Sequence, residues 1–182
     1  MIIALTGTPG TGKTSISIKL ADKGFFIIDL NQIAIEKNFI LGKDEIRNSK
    51  IVDINKLNEY VFKNFRKKDI TIVEGHISHL LSCCDKVIIL RCHPKKLRRN
   101  LTKKGWNENK IKENLEAEIL DIILCEAIDK HSKDSIFEIN VSNKSIKKSV
   151  SLIENLIINN FKNMKTYKIG KIDWSEEILK DF

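Results

Sequence analysis

The sequence predicts an α/β fold, a three-layer α/β/α sandwich on a five-stranded parallel sheet. Three observations carry that reading. Short apolar runs alternate along the chain with segments of helical periodicity. Those runs are continuously apolar, as strands covered on both faces require. A glycine-rich turn follows the first run at once and leads into a helical pattern, which is the strand–turn–helix order of a phosphate-binding loop.

The elements follow in order. "IIALT" (2–6) is the first strand, and 13–23 a helix with Ile16, Leu20 and Ala21 on one side. Gly24 stops that helix, and "FFIID" (25–29) is the second strand. A short helix is expected over 30–38, whereas 40–53 is polar and lacks clear periodicity. From 54 to 68, Leu57, Val61, Phe62 and Phe65 recur at helical spacing. "DITIVEG" (69–75) is a buried strand ending in an acid, and "KVIILRC" (86–92) is the fourth strand. Pro94 suits the first turn of the helix "KKLRRNLTKK". A hinge-like "KGWNEN" (104–109) then leads into one long helix, roughly 108–130, with Ile111, Leu115, Ile119, Ile122 and Ile123 on its apolar side. "SIFEINV" (135–141) is the fifth strand, and 144–161 a closing helix. Residues 1–162 thus make one domain, and 163–182 a tail that packs on it or stays flexible, with "DWSEEIL" able to dock as a helical turn.

Composition narrows the class. A chain of 182 residues, 42% hydrophobic and 31% charged, suits one soluble globular domain. No run approaches the roughly 18 apolar residues of a membrane span. "IIAL" lacks a preceding basic region and is too short for a signal peptide, so a cytoplasmic protein without membrane contact is expected. The formal charge of +8 suits an anionic partner, nucleotide or RNA. It comes mostly from lysine, since the arginines are only Arg47, Arg66, Arg91, Arg98 and Arg99. Planar, bidentate phosphate contacts are arginine's speciality, so candidates for them are few. Cys83, Cys84, Cys92 and Cys125 form no CxxC pair or zinc pattern and read as buried apolar residues in a reducing compartment.

The chemistry centres on Gly7–Thr8–Pro9–Gly10–Thr11–Gly12–Lys13–Thr14, a match to GxxxxGK(S/T) between a strand and a helix. Gly10 and Gly12 let the backbone curl so that successive amides converge on phosphate oxygens. The start of the following helix adds its positive dipole end. Lys13 can reach the β- and γ-phosphates of ATP, Thr14 can coordinate Mg²⁺, and Ser15 can contact the α-phosphate. Glu74 closes a buried strand where such sites hold Mg²⁺ or its water. His76, two residues on, shares its face if the extended geometry persists. His79, His93 and His131 carry no comparable context.

The loop alone does not separate kinase from GTPase or ATPase. "SNKS" (142–145) lacks the acid of a guanine-reading motif. The size and the helical hairpin after the fourth strand point to a nucleoside monophosphate kinase, in which a lid excludes water from the transferred phosphoryl group.

"LTGTPGTGKTS", "IVEGH", "LRCHPKKLRRNLTKKGW" and "EAEILDIILCEA", in this order, resemble the adenylate kinase isoenzyme 6 family in its archaeal form, over about residues 1–161. The resemblance implies a broad-specificity kinase favouring AMP, with ATPase activity and a role in small-subunit ribosome maturation beside a small-subunit ribosomal protein and rRNA. It implies that Gly10, Gly12, Lys13, Thr14 and Ser15 bind ATP, that about 30–53 holds the monophosphate, and that about 103–113 is the lid. Glu74 and His76 fall on the family's acid-x-His motif. The family pattern LxxRLxxRG is broken, however, because Asn100 and Lys104 stand where arginines are usual. Lys104 keeps the charge and loses the fork. Arg98 or Arg99 could compensate from a neighbouring helical position, and Arg47 is the candidate for the acceptor phosphate. An ATP-driven assembly factor with secondary kinase activity, or a kinase of another small molecule, are the competing readings.

Overall fold

Parallel pairing in register is what assembles the site. In chain order the elements are β1 (Ile2–Gly7), α1 (Lys13–Ala21), β2 (Phe26–Asp29), α2 (Leu30–Glu36), β3 (Ile40–Asp44), β4 (Ser49–Val52), α3 (Ile54–Phe65), β5 (Thr71–Glu74), β6 (Lys86–Arg91), α4 (Pro94–Lys103), α5 (Glu108–Ile119), α6 (Ile122–Lys130), β7 (Ile136–Asn140) and α7 (Ile146–Ile158). The computed structural model describes residues 1–44, 49–162 and 165–177. Five parallel strands run in the order β2-β5-β1-β6-β7. Leu5 pairs with Glu74, and Glu74 with Asp29, so the ends of β1, β5 and β2 lie side by side. Ligands bind beyond this carboxyl edge in sheets of this kind.

Alternation along each strand feeds two cores. Ile3, Leu5, Ile72 and Ile88 face a layer formed by α1, α4, α5 and α7. Ile2, Ala4, Val73 and Ile89 face α2, α3 and α6. Every residue of β1 is buried. At about 1.5–3 kcal/mol for each large apolar side chain fully buried, this central strand anchors both layers.

Local signals set the helix starts nearest the site. Asp29 accepts hydrogen bonds from the amides of Asn31 and Gln32 and caps α2 at the end of β2. His93 caps α4 through Nδ1, with Pro94 in the first turn. Asn107 caps α5.

The expected long helix over 108–130 is two helices. Asp121 adopts φ 55°, a left-handed conformation, between α5 and α6. The buried Arg91 guanidinium draws on the Glu118 carbonyl and the Asp121 carboxylate there, and regular helix would not present both. The break also rotates the apolar stripe, leaving Ile122 and Cys125 exposed rather than buried as expected. Within 40–53, β3 and β4 form an antiparallel hairpin interrupted by a bulge near Ile40 and Gly42. Most of its residues are exposed, so no alternating pattern marks the strands in the sequence. Arg47 lies outside the described residues.

The tail climbs along the edge of the sheet. Lys168 bridges antiparallel to Phe137, and the Gly170 amide donates to Glu138 at 2.9 Å. Trp174 meets His93 edge to face with ring centroids 4.9 Å apart, and Ser175–Glu177 form a single 3-10 turn with Glu177 buried. No helix among the described residues is long and apolar enough to cross a membrane.

Candidate active site

A cleft of about 720 Å³ opens at the carboxyl edge of the sheet, and Gly10, Gly12, Lys13, Thr14 and Ser15 form its floor. Gly10 has φ 94°, and a Cβ there would lie 2.9 Å from the side chains of both Leu97 and Leu101. Gly12 has φ 93° at the start of α1. Other residues would strain either position. No side chain caps α1, so the amides of its first turn face the cleft unblocked by one. Thr14 and Ser15 are exposed in that turn.

Lys13 is 8% exposed. Its Nζ donates to the carbonyls of Gly7 at 2.6 Å and Thr8 at 3.2 Å. Burial lowers its pKa from 10.5 to about 8, with Glu74 opposing the drop. Glu74 is buried at the end of β5, and burial pushes its carboxyl above the ordinary range while Lys13 pulls it back. The neighbouring Thr14 hydroxyl also favours the ionised form of that carboxyl. His76 lines the same cleft, and its surroundings and then Lys13 disfavour the imidazolium. The first loop, Glu74 and His76 are therefore brought together.

The opposite wall comes from α4, α5 and the turn between them. Lys104 lines it, as do Lys103, Trp106, Lys110 and Asn114. Lys110 Nζ lies 4.5 Å from the Trp106 ring centroid. Asn100 points down, its Nδ2 donating to the Gly10 carbonyl at 2.9 Å. Arg98 is engaged by Glu108 across the helical hairpin and does not line the cleft. Arg99 lines a neighbouring recess with Asn143 and Lys144. Asn31 and Ser49 approach from the side of α2 and the hairpin.

A buried ionic cluster lies beneath the loop. The Thr8 hydroxyl donates to Glu118 Oε2. Glu118 Oε1 accepts from Arg91 Nε at 2.9 Å and from the Cys92 amide at 3.0 Å. Arg91 also reaches Glu138 and Asp121. Burial disfavours the guanidinium, but Glu118, Glu138 and Asp121 outweigh it and raise its pKa. Through Glu118, α5 is tied to the phosphate loop.

Sequence reasoning gave Glu118 and Asn114 no place, met Asn100 only as a missing arginine, and took in Lys103 and Lys110 only within the lid range. The available signals were a lone arginine ending the apolar strand "KVIILR", which demands a buried partner, and the four-residue spacing of Lys110 and Asn114. It also set His79 aside, yet His79 is buried and bonded to Thr6 and Glu126. Among the described residues, no group of three or more His, Cys, Asp and Glu side chains is placed to hold a metal ion. The pair Thr14 and Glu74 offers two hard oxygens of the kind Mg²⁺ takes together with phosphate and water.

Comparisons with known proteins agree with this layout. Residues 3–121 match the family described as AAA domain. The chain is 39% identical over 184 residues to the protein of Pyrococcus furiosus named "Putative adenylate kinase", covering 98% of this chain and 96% of that one. It is 38% identical over 178 residues to the protein of the same name from Methanocaldococcus jannaschii, covering 97% and 94%. Among solved structures, shikimate kinase from Bacteroides thetaiotaomicron superposes with a TM-score of 0.56 at 17% identity, over 87% of this chain and 98% of that one, which shows a shared fold.

Proposed function

The chain belongs to the family of proteins named "Putative adenylate kinase", and we propose that it catalyses ATP + AMP ⇌ 2 ADP as a Mg²⁺-dependent nucleoside monophosphate kinase. The observation that carries this reading is the cleft itself. Lys13, Glu74, His76 and Lys104 face one space beside an unblocked helix start.

Each residue then has a task. The amides around Gly10 and Gly12 take the phosphate tail of ATP, and Ser15 contacts its α-phosphate. Lys13 exchanges the carbonyls of Gly7 and Thr8 for the β- and γ-phosphates. Thr14 and Glu74 hold the Mg²⁺, Glu74 directly or through water. Mg²⁺, when bound, spreads the charge of the transferred group. His76 orients the reacting phosphates from the end of β5. Residues 103–113 act as the lid, with Lys104 on the ATP phosphates and Lys103 and Lys110 beside it, and their closure excludes water. The segment over about 30–53, with Asn31 and Arg47, receives the monophosphate. Because transfer is in line between two nucleotides, no covalent protein intermediate is needed.

Lys13→Ala tests the assignment. It should lower AMP-dependent ADP formation by several orders of magnitude while the circular dichroism spectrum is retained. AMP-dependent ADP formation at the wild-type rate in that variant would refute it.

A second reading is favoured by the lysine-built lid wall and the basic charge of the chain. In it the protein is of the isoenzyme 6 type, an ATPase that serves small-subunit maturation through a ribosomal protein and rRNA, with kinase activity secondary. Comparing ATP loss with AMP and with a small-subunit ribosomal protein separates the two. Stimulation by AMP favours the kinase, and stimulation by the ribosomal protein alone favours the assembly factor.

A further inference from the structure

Thr6, next to last in β1, lies on the face that meets α6, away from α1. Its hydroxyl lies 3.0 Å from His79 Nδ1 and 3.2 Å from the His76 carbonyl. His79 sits in the 3-10 turn Ser78–Leu80 and is 1% exposed. Its Nε2 lies 2.8 Å from the Glu126 carboxylate on α6. His131, just past α6, donates from Nε2 to the His79 carbonyl at 2.7 Å. The order acid, imidazole, hydroxyl is that of a nucleophilic triad. Thr6 is fully buried, however, so no substrate reaches it, and the chain can act only on its neighbours.

Counting hydrogens shows how it acts. The Thr6 hydroxyl has one hydrogen and two acceptors within reach. A carboxylate at Nε2 requires a hydrogen on that nitrogen. In neutral His79, Nδ1 is then bare and takes the Thr6 hydrogen, so the His76 carbonyl loses that bond. In doubly protonated His79, Nδ1 donates to Thr6 Oγ1 instead, and the Thr6 hydrogen passes to the His76 carbonyl.

We propose that His79, fixed by Glu126, is a positioning residue for the turn that carries His76, and that its proton count decides where the Thr6 hydroxyl points. The proposal rests on the reading of His76 as part of the phosphoryl-transfer site. The titratable and charged groups around His79 are Glu126 and His131 from α6 and its end, Lys13 from α1, and His76 from its own turn. Burial holds His79 below the ordinary imidazole range, with Glu126 pulling upward. The neutral arrangement therefore holds at neutral pH, and the second is reached in acid.

The test uses the full chain with ¹⁵N-labelled histidine and long-range proton–nitrogen spectra of the rings. At about pH 8, well above the ordinary imidazole pKa, the His79 ring should carry its hydrogen on Nε2 alone. Thr6→Val should lower kcat about tenfold with KM for ATP changed less than about twofold, and Thr6→Ser should recover kcat to within about twofold. The wild-type kcat–pH curve should step where the His79 ring titrates, and Thr6→Val should lack that step. Glu126 is exposed, so Glu126→Gln folds, and its step should move to lower pH. A hydrogen on Nδ1 alone, a Thr6→Val enzyme with wild-type kcat, or an unmoved step in Glu126→Gln overturns the proposal. His76→Ala with wild-type turnover overturns instead the role given to His76, and the ring spectra decide the hydrogen-bond chain independently of it.

Discussion

Binding of MgATP at about pH 8 should take up about half a proton, with Lys13 as the acceptor. Burial lowers this lysine from 10.5 to about 8, a penalty on its charged form of about 3 kcal/mol. At about pH 8 roughly half of the molecules then carry Lys13 neutral, and at about pH 6.5 only a few per cent do. A phosphate tail seated on the amides around Gly10 and Gly12 stabilises the charged form and returns Lys13 to full protonation. Calorimetric titration with MgATP in two buffers of different ionisation enthalpy reads this uptake directly. The wild type should show it at the higher pH and lose it at the lower, and Lys13→Met should show neither excess. Equal uptake by wild type and Lys13→Met at about pH 8 would refute the argument, because the buried lysine would then not be the group that meets the phosphates.

Three further outcomes follow. Lys104→Arg restores a planar fork to the cleft wall and should raise kcat/KM for ATP severalfold in a coupled ADP assay; an unchanged value would mean that residue 104 does not reach the phosphates. Glu118→Ala leaves Arg91 and the Thr8 hydroxyl without their shared partner and should cost about 3–5 kcal/mol in urea unfolding, whereas Lys19→Ala at an exposed pair should leave the unfolding midpoint nearly unchanged. The third concerns acid. His79 has a folded pKa below its unfolded value, so the unfolded chain binds that proton more tightly, and this share of stability is complete above about pH 6.5 and declines as pH falls toward the folded pKa. The urea midpoint should fall more between about pH 7.5 and pH 5 in the wild type than in His79→Gln, and equal falls would refute it.

The sheet and the phosphate loop could be read from the sequence because both rest on local rules. Continuous apolar runs such as "IIAL" and "KVIIL" can be buried only from two sides, and GxxxxGK(S/T) carries its own backbone geometry. The helix break at Asp121 could not be read that way. Its cause is Arg91, thirty residues earlier, whose guanidinium meets the Glu118 carbonyl only after β6 and α5 have packed. The hairpin was hidden for the opposite reason, since strands exposed on most positions leave no periodic trace. His79 and His76 are three residues apart and look alike in sequence. Only the turn geometry sends one into the cleft and the other under β1.

The wall opposite Lys13 separates two tasks that arginine usually combines. Arg98 is engaged by Glu108, and Arg99 faces the neighbouring recess, which leaves Lys103, Lys104 and Lys110 among the groups that meet the cleft from this side. An ammonium neutralises phosphate charge without fixing its orientation, whereas a guanidinium does both. On the proposed function orientation then falls to the loop amides, and the loop is held from two directions. Asn100 donates to the Gly10 carbonyl from α4, while Thr8 donates to Glu118 on α5. The two helices that carry the lysines are therefore also the helices that hold the loop. On the proposed function, movement of the hairpin toward the nucleotide would pull on the same amides that seat the phosphates, so closure and phosphate alignment would be mechanically one event.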